Sequence, residues 1–439
     1  MSAINPHPPE SPATSGVASR RAAIFAIARW FQTGEFPDRL IASAPDHAFV
    51  MSLVYGTVKM KRALEWLVSR HTKKKAYGGM EAALLVGAHQ IFHAPEIPPY
   101  AVINTTVEAA KAGSKKSAGL VNAVLRKLLD NRAALLEELQ QQPLAVRASH
   151  PDHLVAAWQA RYGATDTETL CAWNNTAPGT VLCLLPHAGI TAAEYIAKAA
   201  EAGITLTPHP AAPDTHLSVP HGAPSLDTFP GYKRGLFIVQ DPGCLAAIEL
   251  LDVRPKMTVL DACAAPGGKT LQIASRMIPP GAETLEIAGR LLAMEKHEDR
   301  IPNLCDNISR VKFTGIDIVQ GDASVPSAPE APCFDRILLD VPCSNTGVLR
   351  RRPDARWRCT PQRMKFLRDT QRALLKTNLS RLARGGRLVY STCSIEPAEN
   401  LELVESVLAE MPYYQLREHR QTLPFEHNTD GMFAAVIEG

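Results

Sequence analysis

TVLDACAAPGGKT (residues 258–270) is the stretch that decides how the second half of this chain folds. An apolar run of strand length ends in an acid, passes two adjacent glycines and enters a helical pattern. Gly267 and Gly268 let the backbone turn tightly and approach a ligand, and the helix behind them offers free N–H groups. The same strand–turn–helix rhythm returns at RLLAME (290–295), DIVQGD (317–322), FDRILLDVP (334–342) and GRLVYSTC (386–393). Repetition of that unit predicts a parallel, doubly wound α/β sheet.

Ligands of such sheets lie beyond the carboxyl ends of the strands, at the switch point. Here four successive strands close on acids, Asp261, Glu295, Asp322 and Asp340. Glu295 is suited to accept both hydroxyls of a ribose, and Asp322 an adenine amino group. The turn is neither GxxxxGK[ST] nor GxGxxG, so S-adenosylmethionine suits it better than a nucleoside triphosphate or NAD. The residues expected around that cofactor are Cys263, Ala264, Ala265, Pro266, Gly267, Gly268 and Lys269 of the turn, with Glu295, Asp322 and Asp340.

Nine cysteines in 439 residues, with no CxxC pair and no secretory leader, point to reduced thiols in the cytoplasm and give neither zinc nor a disulfide framework support. Cys171, Cys183, Cys244, Cys305, Cys333 and Cys359 read as small core residues, and Cys263 as part of the turn. Cys343, in DVPCSNTG (340–347), and Cys393, in STCS (391–394), fall past the ends of neighbouring strands, where a substrate would sit. A thiol there has a use. Carbon 5 of cytosine is a poor nucleophile toward a methyl sulfonium, and thiolate attack at C6 converts it into an enamine carbon. A second group must then help remove the C5 proton so that the thiol leaves. Asp340 is suited to the N3 and amine edge of the base, and Lys269 to holding a thiolate or orienting the base.

LDACAAPGGKT (260–270), AMEKHEDR (293–300), GDAS (321–324), LLDVPCSNTGVLRRRPDARW (338–357) and LVYSTCSIEPAEN (388–400) resemble, in this order, the motif series of the RNA 5-methylcytosine methyltransferases. VQDPGCLAAIELL (239–251) resembles the motif that precedes the cofactor turn in that family. The resemblance implies that Cys393 is the nucleophile and Cys343 assists release. DNA cytosine-5 enzymes attack with the PC cysteine and lack the TC one, so RNA is expected and DNA is not. Amino-group methyltransferases carry [DN]PP[FY] where this chain has DVPC. Some positions depart from the family pattern: Val341 for Ala, Glu295 for Asp, Cys183 and Leu185 for Arg and Asn, and the ending DGMFAAVIEG (430–439), which lacks a second aromatic and a closing basic residue.

The front half reads as five amphipathic helices, around 19–31, 49–67, 80–92, 100–112 and 118–129. EAALLVGAHQIFH (81–93), IPPYAVINTTVEAAKA (97–112) and GLVNAVLRKLL (119–129) resemble the RNA-binding NusB-like domain. That domain joined to this catalytic half resembles the ribosomal RNA small-subunit methyltransferase B family (the Sun or Fmu proteins), which implies small-subunit ribosomal RNA as partner. The expected organisation is a disordered tail (1–16), an all-α NusB-like domain (17–142), a small α+β linker module (143–235) and a Rossmann-like class I methyltransferase domain (236–439). Lys59, Lys61, Arg62, Arg70, Lys73, Lys74 and Lys75 form one basic stretch. Arg350, Arg351, Arg352, Arg356, Arg358, Arg363, Lys365 and Arg368 form another behind the PC motif, read as a phosphate grip. Trp357 is expected to close a core rather than support a flipped base. No run reaches the ~18 apolar residues of a membrane span. Transfer RNA is the alternative substrate, and a non-catalytic NusB-like factor the alternative class; a disulfide oxidoreductase lacks its CxxC.

Overall fold

The computed structural model describes residues 12–74, 76–113, 115–326 and 333–439. The chain forms two compact bodies, one of Met1–Thr176 with Arg352–Trp357, the other of Ala177–Arg351 with Arg358–Gly439.

The first body is helical. Apolar residues recur every three or four positions along Lys61–Ser69 and Lys115–Asp130, so each of these helices turns one stripe inward, whereas Gly78–His93 is buried all round from Ala82 to Phe92 except at His89 and runs through the middle of the core. Leu64, Leu67, Leu84, Leu85, Leu125 and Leu128 are all but fully buried in one core with Ile27 and Leu53. Each such side chain contributes roughly 1.5–3 kcal/mol on burial. The long helix expected over 49–67 is two, His47–Lys59 and Lys61–Ser69. The chain leaves helical geometry at Met60 (φ −95°, ψ 13°), and Ser149 Oγ takes up the N–H of Arg62 beyond the break. The tail expected over 1–16 is corrected only over 12–16, where a helix, Pro12–Thr33, already runs. Proline at a first helical position loses no hydrogen bond, so its presence there misleads a composition-based reading. Residues 1–11 lie outside the described part.

The helix Asp152–Asn175, kinked at Gly163 (φ 81°), buries Leu154, Val155, Trp158, Leu170 and Cys171. It belongs to this body, which therefore ends at Thr176 and not near 142. So does Arg352–Trp357. Arg356 is completely buried, and its guanidinium donates to Ser149 O (3.0 Å), Asn175 Oδ1 (2.8 Å) and Asn174 O (3.0 Å). Burial lowers its pKa to about 9. Trp357 packs against the helical core, as expected, and its Nε1–H donates to Val58 O at 2.7 Å.

The second body holds two sheets. Strands β1 (Thr180–Leu184), β2 (Thr207–Pro208), β3 (His216–Val219) and β4 (Phe237–Val239) form an antiparallel sheet in the order β2-β3-β1-β4. The helix Ala192–Glu201 opens on a capping box between Thr191 and Glu194. Phe237–Val239, expected to open the methyltransferase domain, pairs with β1 in this smaller sheet, Leu184 opposite Phe237. Three apolar residues carry no mark of which sheet they join. Cys183 and Leu185 are buried in the core of the second body.

The larger sheet contains β5 (Thr258–Asp261), β6 (Glu286–Glu295), β7 (Thr314–Gln320), β8 (Phe334–Asp340), β9 (Leu382–Thr392), β10 (Gln415–Thr422) and β11 (Met432–Glu438), in the order β10-β11-β9-β8-β5-β6-β7. β5 through β9 run parallel, and β11 lies antiparallel between β9 and β10. This is the Rossmann-like arrangement expected. From β5 the chain winds outward through β6 and β7, then returns to β8 on the other side. The carboxyl ends of β5 and β8 therefore flank the switch point.

Candidate active site

The turn after β5 is shaped from within. Asp261, at the strand end, is buried and accepts from Thr270 Oγ1 at 2.6 Å, tying the strand to the first turn of the helix Gly268–Met277. Burial pushes the Asp261 carboxyl up to about 6, a rise that the Thr270 hydrogen bond and Lys269 only partly offset. Gly267 has φ 105°, and a Cβ there would stand 2.8 Å from Leu304 Cδ1, so only glycine fits. Ala264, Ala265 and Pro266 line the turn between strand and helix. Cys263 is half-buried, and its partial burial, with the acids around it, raises its thiol far above the ordinary value.

Glu295 closes β6 with its carboxylate fixed by backbone. Oε2 accepts from the Ala265 N–H at 3.3 Å and Oε1 from the His297 N–H at 2.9 Å, with Arg300 3.1 Å from Oε2. Oε1 keeps an unused lone pair, which suits a hydroxyl donor. Asp322, just past β7, accepts from the Ser324 N–H (2.9 Å) and hydroxyl (2.6 Å) and pairs with Lys296 at 2.8 Å. The Lys296 and Ser324 hydrogen bonds hold its carboxyl down at about 2. Two oriented acids at consecutive strand ends, beside a turn where backbone passes closely, fit an adenosine with its ribose diol and amino group.

Lys269 joins this half to the cysteines. Its Nζ lies 2.6 Å from Asp340 Oδ2 at the end of β8, with only 12% of the lysine side chain exposed. Burial alone would lower the Lys269 pKa, but Asp340 outweighs it, with Cys244 and Cys393 adding, and the net shift is upward. Past Asp340 the chain enters the loop of Cys343, while the neighbouring strand β9 runs into Cys393. Parallel pairing sets Asp340 opposite Ser391, which brings both cysteines to one end of the sheet. Their sulfurs are 3.2 Å apart. The hydrogen bond with Cys393, then burial, push the Cys343 thiol well up, and the charge of Glu399 adds to this.

Several residues around the pair had no advance reading. Glu399 is fully buried and receives the Ser344 N–H at 3.0 Å, the Ser344 hydroxyl, the Ser394 hydroxyl at 2.6 Å and Gln371 Nε2 at 2.9 Å. Each serine follows one of the two cysteines, so one carboxylate clasps both loops. Gly347 N–H donates to Cys393 O at 3.0 Å, and a Cβ on Gly347 would fall 2.0 Å from Gly431 O. Asn345 touches both cysteines: its Oδ1 accepts from Cys393 Sγ at 3.1 Å and its Nδ2 donates to Cys343 O at 3.1 Å. The only advance signal for Glu399 and Asn345 was membership in the two cysteine motifs.

Other expectations are corrected. Arg350 and Arg351 do not reach outward for phosphate; both bind the buried acids Asp241 and Asp430, at 3.0 and 2.7 Å from Arg350 and 2.9 Å from Arg351 to Asp241. Arg356 is internal, and Arg352 pairs with Asp38. In the front stretch Lys59, Lys61, Arg62 and Arg70 also have protein partners, which leaves Lys73 and Lys74 exposed; Lys75 lies outside the described residues. Arginine in a sequence does not reveal whether an acid elsewhere claims it. Among the cysteines read as core, Cys333 is exposed and Cys244 and Cys305 only half-buried. Cys244 lies close enough to Lys269 to influence its titration.

Known proteins resemble this chain in sequence and in fold. Residues 248–438 match the family described as 16S rRNA methyltransferase RsmB/F, and residues 17–130 match the NusB family. A ribosomal RNA small subunit methyltransferase B of Vibrio vulnificus is 34% identical over 404 residues, covering 89% of this chain and 91% of that one. The crystal structure of PH0851 is similar in fold over 98% of this chain and 99% of its own, with a TM-score of 0.77 at 22% identity. NSun6 from Pyrococcus horikoshii, solved with SFG, is similar over 66% of this chain and 98% of its own, with a TM-score of 0.56 at 20% identity. Fold, turn and relatives together define an S-adenosylmethionine-dependent methyltransferase preceded by a NusB-type helical domain. More narrowly, the chain belongs to the ribosomal RNA small subunit methyltransferase B family. Among the described residues no helix is long and apolar enough to cross a membrane.

Proposed function

We propose that this chain methylates carbon 5 of a cytosine in small-subunit (16S) ribosomal RNA through a covalent adduct between Cys393 and C6 of the base. The observation that carries the reading is the pair of sulfurs 3.2 Å apart beside the Lys269–Asp340 ion pair. One thiol can attack while a second stands within reach of the same base. The family description and the name of the Vibrio relative support ribosomal RNA as the substrate. A ribosomal RNA substrate also fits a protein of the cytoplasm.

When bound, S-adenosylmethionine supplies an electrophilic methyl group. The turn 263–269 and Asp322 hold its adenosine end, and Glu295 accepts from the ribose hydroxyls. The target cytosine must leave its stack to be reached. Asp340 and Lys269 orient its N3 and amine edge. Cys393 Sγ forms a bond to C6, which makes C5 nucleophilic enough to take the methyl group. Cys343 then assists removal of the C5 proton, and the Sγ–C6 bond breaks.

Labelled methyl transfer to unmodified small-subunit ribosomal RNA and to transfer RNA, followed by nucleoside analysis, tests the reading. 5-Methylcytosine in the ribosomal RNA is the expected result. Label in transfer RNA alone would overturn the substrate, and cofactor binding without label in either RNA would overturn the activity in favour of a non-catalytic RNA-binding factor.

A further inference from the structure

Asn345 sits in the left-handed region (φ 61°, ψ 23°), which asparagine, aspartate and glycine tolerate better than other residues. That conformation turns its side chain back between the two cysteines. The Cys343 carbonyl can only accept, so the Asn345 amide must present its Nδ2 there, at 3.1 Å. The orientation of the amide is thereby fixed, and Oδ1, which can only accept, faces Cys393 Sγ at 3.1 Å. An acceptor so placed suits a thiol and repels a thiolate.

We infer that Asn345 orients Cys393 and holds it as a thiol, so that the nucleophile is armed only when that hydrogen bond is given up. The inference rests on the reading of Cys393 as nucleophile. Two other groups bear on the same sulfur: the Cys343 thiol at 3.2 Å, and the Lys269 ammonium from the helix after β5, itself bound to Asp340. Both are present whatever occupies position 345. Changing that residue therefore leaves those two groups in place and alters only the amide's own contacts, with Cys393 Sγ and with Cys343 O.

The test uses full-length Asn345→Asp and Asn345→Gly, both compatible with the left-handed backbone. Alkylation of Cys393 by iodoacetamide is followed against pH by peptide mass spectrometry, and the pH profile of kcat/KM is measured in parallel. A carboxylate at this distance accepts the S–H and repels the thiolate, so Asn345→Asp is expected to move the alkylation midpoint and the acidic limb of the profile upward by about one pH unit or more. Asn345→Gly is expected to move the midpoint downward and to lower kcat about tenfold, with KM for S-adenosylmethionine unchanged. Midpoints and profiles that match the unaltered protein in both variants would overturn the inference. Failure of the underlying reading appears separately, as methyl transfer that survives Cys393→Ala.

Discussion

Asp261 shows how one residue can shape the site without touching substrate. Its carboxyl is buried and titrates near 6, above the roughly 3.9 of an unfolded chain. A carboxyl raised on folding adds stability below the unfolded value, and that stability is lost as pH rises through the folded value. The cofactor-free protein is therefore expected to lose on the order of 2 kcal/mol between pH 4 and pH 7 from this group. Asp261→Asn should flatten that component of the pH dependence of Tm while keeping the contact with Thr270. An unchanged slope would show that the carboxyl is not strained by its burial. Residue identities at the ends of β5, β6, β7 and β8 were legible in advance because acids at successive strand ends are a pattern along the chain. The partners of those acids were not: Lys296, Arg300 and the backbone N–H groups reach Glu295 and Asp322 only once the loops have folded.

At the scale of elements, two loops carry the cysteines and one buried carboxylate joins them. Glu399→Ala removes the acceptor for four donors, including both serines that follow the cysteines. Buried donors left without a partner cost about 1–3 kcal/mol each before relaxation, so a loss on the order of 4 kcal/mol is expected. Chemical denaturation should show this as a lower midpoint, with methyl transfer abolished. Retention of both would mean that the loops are held by other contacts. Strands β5 to β9 could be read from their apolar runs, but β10 and β11 could not. Gln415–Thr422 is a polar edge strand, and Met432–Glu438 is buried on both faces, so neither alternates in a way that marks a strand. The helix expected over 49–67 failed for a related reason, because apolar periodicity continues across the break at Met60.

At the scale of the whole molecule, composition misplaces the boundary between the bodies. Asp152–Asn175 looks like the start of a mixed module, yet its apolar stripe and the acceptors around Arg356 belong to the helical body. Arg356→Ala is expected to destabilise that body by on the order of 3 kcal/mol, visible as a lowered thermal midpoint. In the same variant, at a temperature where it remains folded, the salt dependence of RNA binding should match the unaltered protein. Replacing Lys73 and Lys74 together should reduce that slope by up to about two. A reduced slope in Arg356→Ala would restore it as a phosphate contact. The central claim is that Cys393 bonds covalently to the RNA and Cys343 releases it. The most direct measurement incubates Cys343→Ala with S-adenosylmethionine and unmodified small-subunit ribosomal RNA, then resolves the mixture under denaturing conditions. A protein–RNA adduct that survives denaturation, and is lost when Cys393 is also changed to Ala, is the expected result. Turnover by Cys343→Ala with no adduct, or an adduct that persists in the double variant, would contradict the account.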